Sequence, residues 1–192
     1  MIQLKSKREL EKMREAGRHV GEILQRLGEL AKPGVTTAEL DRVAHAEIRA
    51  RKLESSFLGY APGDNPPFPA VICASVNEEI VHGIPGGRRL VEGDLLKIDF
   101  GAICDGFHAD AAITVPIGEV DEESRRLVST TLSSLYAGVE QMAPGKRLGD
   151  VGAAVQETVE REGFSVVRDF VGHGIGQRMH EEPQIPNYGE PG

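Results

Sequence analysis

Two short stretches of this chain place carboxylates where a metal could be held. In Lys97-Ile98-Asp99-Phe100-Gly101 an aspartate stands between two large apolar residues, and Gly106-Phe107-His108-Ala109-Asp110 follows after a turn. An ionised carboxylate buried on such a strand costs several kcal/mol unless a cation or a partner compensates it. With Cys104-Asp105-Gly106 read as a tight hairpin turn, antiparallel pairing puts Asp99 and Asp110 on neighbouring strands, about 5 Å apart if they stand directly opposite. Two carboxylates that close repel, and a divalent metal relieves the repulsion. Spacing alone equally allows one of them to face solvent or an arginine.

A third stretch, Gly172-His173-Gly174-Ile175-Gly176 followed by His180-Glu181-Glu182-Pro183, carries imidazoles. Glycines on both sides of His173 let the backbone turn sharply and present a ring into a cleft. His180, seven residues on, is too far for a ligand pair on one helix face but suits a loop or bend. Taken alone, the cluster reads as an exposed Gly-rich loop. His82 precedes a turn built on Gly83 and Pro85 and reads as either a surface group or part of a site. His19, His45 and His108 are assigned structural or solvated roles, and Glu78-Glu79 a solvated face. No Gly-rich run carries the Lys of a phosphate-binding loop, and no Ser sits in a Gly-x-Ser-x-Gly elbow.

The elements that must position these residues are legible from periodicity and caps. Ser6 with Glu9 forms a capping box ahead of Leu10, Met13, Val20, Ile23, Leu24, Leu27 and Leu30 at helical spacing, ending at Pro33-Gly34. Thr36 with Glu39 opens a second helix through Leu40, Val43, Ala44 and Ile48. Strands are predicted around Ala70 to Ser75, Asp94 to Ile103 and Phe107 to Val115. Helical spacing resumes after Asp121 and stops at Pro144-Gly145, and a further helix is predicted from Leu148 to Glu162. The two Pro-Gly pairs stand 111 residues apart, an offset that aligns Leu40 with Val151, Ala44 with Val155 and Ile48 with Val159. The chain therefore reads as two copies of a helix-Pro-Gly-helix unit, the second followed by far fewer strand residues than the first.

At 192 residues with ordinary apolar content, the chain is long enough for one sizeable core and reads as one domain, residues 1–192. A net charge of -8, with basic residues interspersed among acids, argues against a duplex-binding surface; a basic first helix leaves room for a local RNA contact. The opening residues lack the apolar run of a secretory signal, and no segment approaches membrane-spanning length. Cys73 and Cys104 show no metal or redox spacing and read as buried reduced thiols. A cytoplasmic location follows.

Together, HGIP at His82 to Pro85, KIDFGAICDGFHAD at Lys97 to Asp110 and GHGIGQRMHEEP at Gly172 to Pro183 resemble the type I methionine aminopeptidases of bacterial kind, over essentially the whole chain. The resemblance implies an α/β (α+β) "pita-bread" fold of the creatinase and aminopeptidase class, with a pseudo-two-fold repeat whose second half is incomplete here. It implies that Asp99 chelates one divalent metal, that Asp110 bridges two and that His173 ligates the other. It also implies that His82 and His180 face the substrate as catalytic groups. Co, Mn, Fe(II) and Zn all suit such mixed ligation. Asn77 and Glu79 fall where the family has a loop that binds a monovalent cation through main-chain oxygens. Tyr60 and Cys73 match pocket positions, Phe57 stands where a Cys is common, and Phe68 closes a loop, Ala61 to Phe68, longer than usual. An apolar wall of Phe57, Tyr60 and Phe68 would suit a thioether.

The implied activity is metal-dependent removal of N-terminal methionine, with a metal-activated water attacking the first peptide bond. The implied partners are nascent polypeptide N-termini, with the ribosome as a candidate neighbour, and the chain is expected to be a monomer that uses neither DNA nor membrane. Two glutamates that complete the family's ligand set find no matching segment, since Glu182-Pro183 belongs to the motif at His180 and Glu190-Pro191 lacks an apolar strand before it. Low or absent activity of this polypeptide is the expectation from that gap. The rival readings are a non-catalytic binding module of the same fold, an inactive fragment, and a relative that cleaves before proline.

Overall fold

The computed structural model describes residues 2–192, which divide into two compact units. The larger, the sheet unit, takes residues 4–120 and 175–179; the C-terminal unit takes residues 2–3, 121–174 and 180–192.

In the sheet unit, helices α1 (Lys7–Leu30) and α2 (Thr37–Arg51) start at the two predicted capping boxes. Glu9 accepts from the Ser6 backbone N–H at 2.7 Å, and Glu39 from that of Thr36 at 2.7 Å, so orphan donors at both helix starts are satisfied by side chains. Strands β1 (Glu54–Ser55), β2 (Ile72–Val76), β3 (Leu95–Cys104) and β4 (Phe107–Pro116) follow. β3 is central, with β4 along one edge and β2 and the short β1 along the other, all pairings antiparallel.

Alternation along β3 and β4 sorts their side chains to two faces. Leu96, Ile98, Phe100 and Ala102 are buried in a core with Val20, Ile23, Leu24 and Leu27 of α1 and Leu40, Ala44 and Ile48 of α2. Fully burying each of the larger side chains contributes about 1.5–3 kcal/mol. The opposite face carries Lys97, Asp99 and Gly101 of β3 beside Ala112, Asp110 and His108 of β4. The helices thus back the sheet and leave its other side to the polar residues.

In the C-terminal unit, α3 (Glu122–Glu140) is capped by Asp121, whose side chain accepts from Ser124 N–H at 2.8 Å. α4 (Leu148–Arg161) begins 111 residues after α2, the predicted offset. The third residue of each helix carries the carboxylate that reaches back, and Asp150 accepts from Arg147 N–H at 2.7 Å as Glu39 does from Thr36. Thr130, Ser134 and Gly138 form the buried stripe of α3, and a Cβ at Gly138 would lie 2.9 Å from Val155 of α4. Strands β5 (Gly172–Gly174) and β6 (Glu181–Ile185) pair antiparallel. The segment after them runs over α4, where a Cβ at Gly152 would meet the Tyr188 carbonyl oxygen at 2.4 Å. Among the described residues no helix is long and apolar enough to cross a membrane.

Candidate functional site

The β3–β4 turn is the two-residue Asp105-Gly106, both at positive φ (50° and 79°), closed by Cys104 opposite Phe107. Asp-Gly suits this geometry. The resulting register sets Asp99 opposite Ala112 and Asp110 opposite Gly101. The two carboxylates are therefore diagonal neighbours on one face, where the spacing alone had left direct opposition open. Long or polar side chains still reach each other across a diagonal, and here Asp99 and Asp110 share a hydrogen bond. Burial, the Asp110 charge and that shared bond hold the Asp99 carboxyl well above the usual carboxylate range. The Asp110 Oδ1 atom is buried outside any hydrogen bond, while the carboxyl as a whole engages Asp99.

Cys73 of β2 stands opposite Asp99 on the other side of β3. Burial, then the charges of Asp99 and Asp110, push its thiol up to about 12. It stays neutral, and so serves as an apolar wall and not as a nucleophile. Phe57, Cys73 and Met179 form a small buried cluster with Phe68 packed against it. Phe57 and Phe68 meet edge to face, centroids 6.4 Å apart. Gly101 makes this possible, because a Cβ there would lie 2.9 Å from both the Phe57 ring and Ser56. Phe68 N–H donates to the Tyr60 carbonyl and Gly59 N–H to that of Phe68, closing the exposed loop 61–67. Tyr60 itself is exposed beside this cluster and does not join it. Met179 was invisible as a pocket residue in the sequence, since it sits beside His180 in a polar motif; a buried apolar side chain within that motif was the available signal.

His173 and His180 come together across the β5–β6 hairpin, ring centroids 4.1 Å apart. His173 is half-buried and His180 exposed. His173 Nδ1 lies 2.9 Å from the Gly174 carbonyl oxygen, which can only accept, so this bond selects the tautomer with the proton on Nδ1. That is the tautomer of a metal-ligating imidazole whose other nitrogen is anchored. Gly174 must be Gly, as a Cβ would fall 2.4 Å from the Glu182 carbonyl oxygen.

His82, at φ 60°, is exposed at the start of a segment pressed on β2. Gly83 N–H donates to Ser75 Oγ at 3.0 Å and its carbonyl accepts from Ala74 N–H at 2.8 Å. Nearby, Asn77 bridges Asp94 and the Leu95 N–H through its side chain, and Glu79 accepts from Val76 N–H. The Asn77 carbonyl oxygen accepts from the Lys97 ammonium, so one main-chain oxygen of the loop expected to hold a monovalent cation already faces a tethered one. Among the described residues, no three His, Cys, Asp or Glu side chains gather into a metal-holding group. The two carboxylates nonetheless fit a divalent cation, being hard oxygen donors on one face, buried, and mutually repelling when ionised.

Comparison with known proteins gives the same direction. The model of metallopeptidase family M24 matches residues 11–192. A methionine aminopeptidase of Clostridium acetobutylicum is 50% identical over 193 residues, spanning all of this chain and 75% of its own length. Methionine aminopeptidase 1 of Bacillus subtilis is 48% identical over 191 residues, with the same coverage of 100% and 75%. The crystal structure of a methionine aminopeptidase from Thermotoga maritima superposes with a TM-score of 0.95 at 41% identity, over 100% of this chain and 76% of that one.

Proposed function

The chain belongs to metallopeptidase family M24, and from that premise we propose that it removes the N-terminal methionine of other polypeptides by metal-dependent hydrolysis. Its fold is the α/β pita-bread fold of its relatives. The observation that carries the proposal is the placing of Asp99 and Asp110 beside Cys73, on the sheet face whose apolar cluster is completed by Phe57, Phe68 and Met179. A divalent cation binds where oxygen donors converge, and an unbranched thioether side chain packs against aromatic rings and thiols. The rival binding module and proline-specific relative are not favoured, because relatives at 48–50% identity are methionine aminopeptidases.

In this reading Asp99 and Asp110 hold the cation, and the resemblance to the family adds His173 as a further ligand. When bound, a divalent cation supplies Lewis acidity toward a carbonyl and toward water. The protein's own share is positional. Phe57, Phe68, Cys73 and Met179 receive the methionyl side chain, and Tyr60 stands at their rim. His82 and His180 contact the scissile amide, donating hydrogen bonds to its oxygen and nitrogen as charge develops. The metal is one of Co, Mn, Fe(II) or Zn. The substrates are the N-termini of nascent polypeptides in the cytoplasm, and the 192 residues act as one catalytic domain.

Calorimetric titration with Mn2+ tests the reading together with a peptide assay. Asp110→Asn should weaken Mn2+ binding by more than about tenfold. The unmodified chain, slow for want of the two glutamates that find no matching segment, should release free methionine from Met-Ala-Ser only when Mn2+ or Co2+ is added, and should act far more weakly on Leu-Ala-Ser. Equal Mn2+ affinity in chain and variant, or release that ignores the N-terminal residue, would overturn it.

A further inference from the structure

Ser56 is buried, and its hydroxyl shares a 2.9 Å hydrogen bond with His108 Nδ1. The bond spans two different parts of the sheet unit. Ser56 directly precedes Phe57 of the apolar cluster, while His108 lies on β4 two residues before Asp110, on the face that also carries Asp99. The backbone of the same histidine makes a second link, since His108 N–H donates to the Gly176 carbonyl at 2.8 Å. Gly176 in turn begins the tight turn, closed by its N–H on the Arg178 carbonyl, that leads into Met179. One residue therefore ties both the Phe57 side and the Met179 side of the cluster to the strand that bears a carboxylate.

Cys73 of the cluster is held beside Asp99 by the pairing of β2 with β3, whereas Phe57 and Met179 reach the carboxylate strand through other links. Ser56 N–H reaches the Gly101 carbonyl at 3.1 Å, but position 101 has no side chain to pack, and loop 61–67 beyond Tyr60 is exposed. Without the ring of His108, the residue next to Phe57 would lose its side-chain hydrogen bond to β4.

We propose that His108 is a positioning residue for substrate selection: it sets where Phe57 and Met179 stand relative to the Asp99–Asp110 pair, and so decides which N-terminal side chain places its peptide bond at the carboxylates. The inference rests on the proposed methionine specificity of that cluster. It predicts a defect in recognition, with the carboxylates left as they are. A buried side-chain hydrogen bond that fixes a pocket wall, once lost, changes discrimination by roughly five- to tenfold.

Two readouts decide it. Three single variants are made, together with the double variant of the first two: His108→Phe keeps the bulk without the bond, Ser56→Ala removes the partner, and His108→Asn keeps an amide close to the place of Nδ1. The first readout is the 13C-methyl resonance of Met179, one of four methionines, assigned with Met179→Leu and read on the resting chain without turnover. His108→Phe and Ser56→Ala should each shift it, the double variant no more than the larger single one, and His108→Asn should restore it. The second readout is kcat/KM for Met-Ala-Ser over Leu-Ala-Ser, which should fall through KM in the same two variants while Mn2+ affinity holds. An unmoved Met179 resonance and selectivity in His108→Phe would overturn the proposal. Loss of Mn2+ binding in that variant would also overturn it, since the ring would then serve the carboxylates directly. If the unmodified chain shows no preference for methionine, the specificity reading fails, and the Met179 resonance still decides the role of His108.

Discussion

The two helix pairs of this chain share an offset, a Pro-Gly hinge and a back-reaching carboxylate at the start of the second helix, yet they differ in what they bury. In the first, α1 turns Val20, Ile23, Leu24 and Leu27 into a core shared with β3 and β4. In the second, α3 buries Thr130, Ser134 and Gly138 against its neighbour and leaves Leu127, Leu132, Leu135 and Tyr136 exposed. The position that aligns with Leu24, 3% exposed, is Leu135, 57% exposed. The same supersecondary unit is thus a core element when a sheet backs it and a surface element when small residues bring two helices together alone. Local sequence chooses the helices; what lies across from them chooses the energetics.

The comparison is tested most strongly by truncating the aligned leucines. Leu24→Ala should lose about 2–5 kcal/mol in urea denaturation, while Leu135→Ala should stay within about 0.5 kcal/mol. Similar losses would erase the distinction between the pairs.

Titration separates the units next. Asp99 has a folded pKa raised from 3.8 to about 8. The folded state therefore holds a proton that the unfolded state has released, so stability is greatest below 3.8 and falls as pH rises through about 8. For the metal-free chain, the melting midpoint should drop by roughly 5 °C or more between mildly acidic and mildly alkaline buffer, and Asp99→Asn should flatten that slope. Added Mn2+ should raise the midpoint most at the alkaline end, and hydrogen exchange should localise the effect to β3 and β4, leaving α4 unchanged. A pH-independent midpoint would contradict the burial of this pair.

Two smaller effects sharpen the contrast. Gly138→Leu should cost about 1–3 kcal/mol by overpacking Val155, whereas Gly17→Ala on α1, where an added Cβ meets nothing within 4 Å, should gain up to about 1 kcal/mol. At the helix starts, Thr36 caps α2 with its hydroxyl but Arg147 has no oxygen to offer α4. Arg147→Ser should therefore add about 0.5–1 kcal/mol, and Thr36→Ala should remove about 1 kcal/mol, both read from thermal melts.

What the sequence made legible was whatever depends on neighbours along the chain. Ser6 with Glu9 and Thr36 with Glu39 set the first two helix starts, Asp105-Gly106 set the hairpin, and alternation put Asp99 and Asp110 on one face. The register puts Asp99 and Asp110 one diagonal away from direct opposition, because the spacing of two residues around a turn does not say which pair of positions closes it. The strands β5 and β6 were hidden in a Gly- and Pro-rich stretch with no alternation to read. His108 and Met179 acquire their places only through contacts with Ser56, Gly176 and Phe57, residues 52, 68 and 122 positions away, which no local pattern announces. Lys97 gave no sign that its ammonium would meet the Asn77 carbonyl.

The two-sidedness of β3 carries one more consequence. Because odd positions face the carboxylate side and even positions the helices, a single residue inserted between Leu95 and Asp99 would swap the sides, driving Asp99 toward Leu27 and turning Phe100 out to the water. Two inserted residues would restore the parity. This strand can therefore drift in length only by pairs, and its tolerance to deletion should show an odd–even rhythm that no helix of the molecule shares.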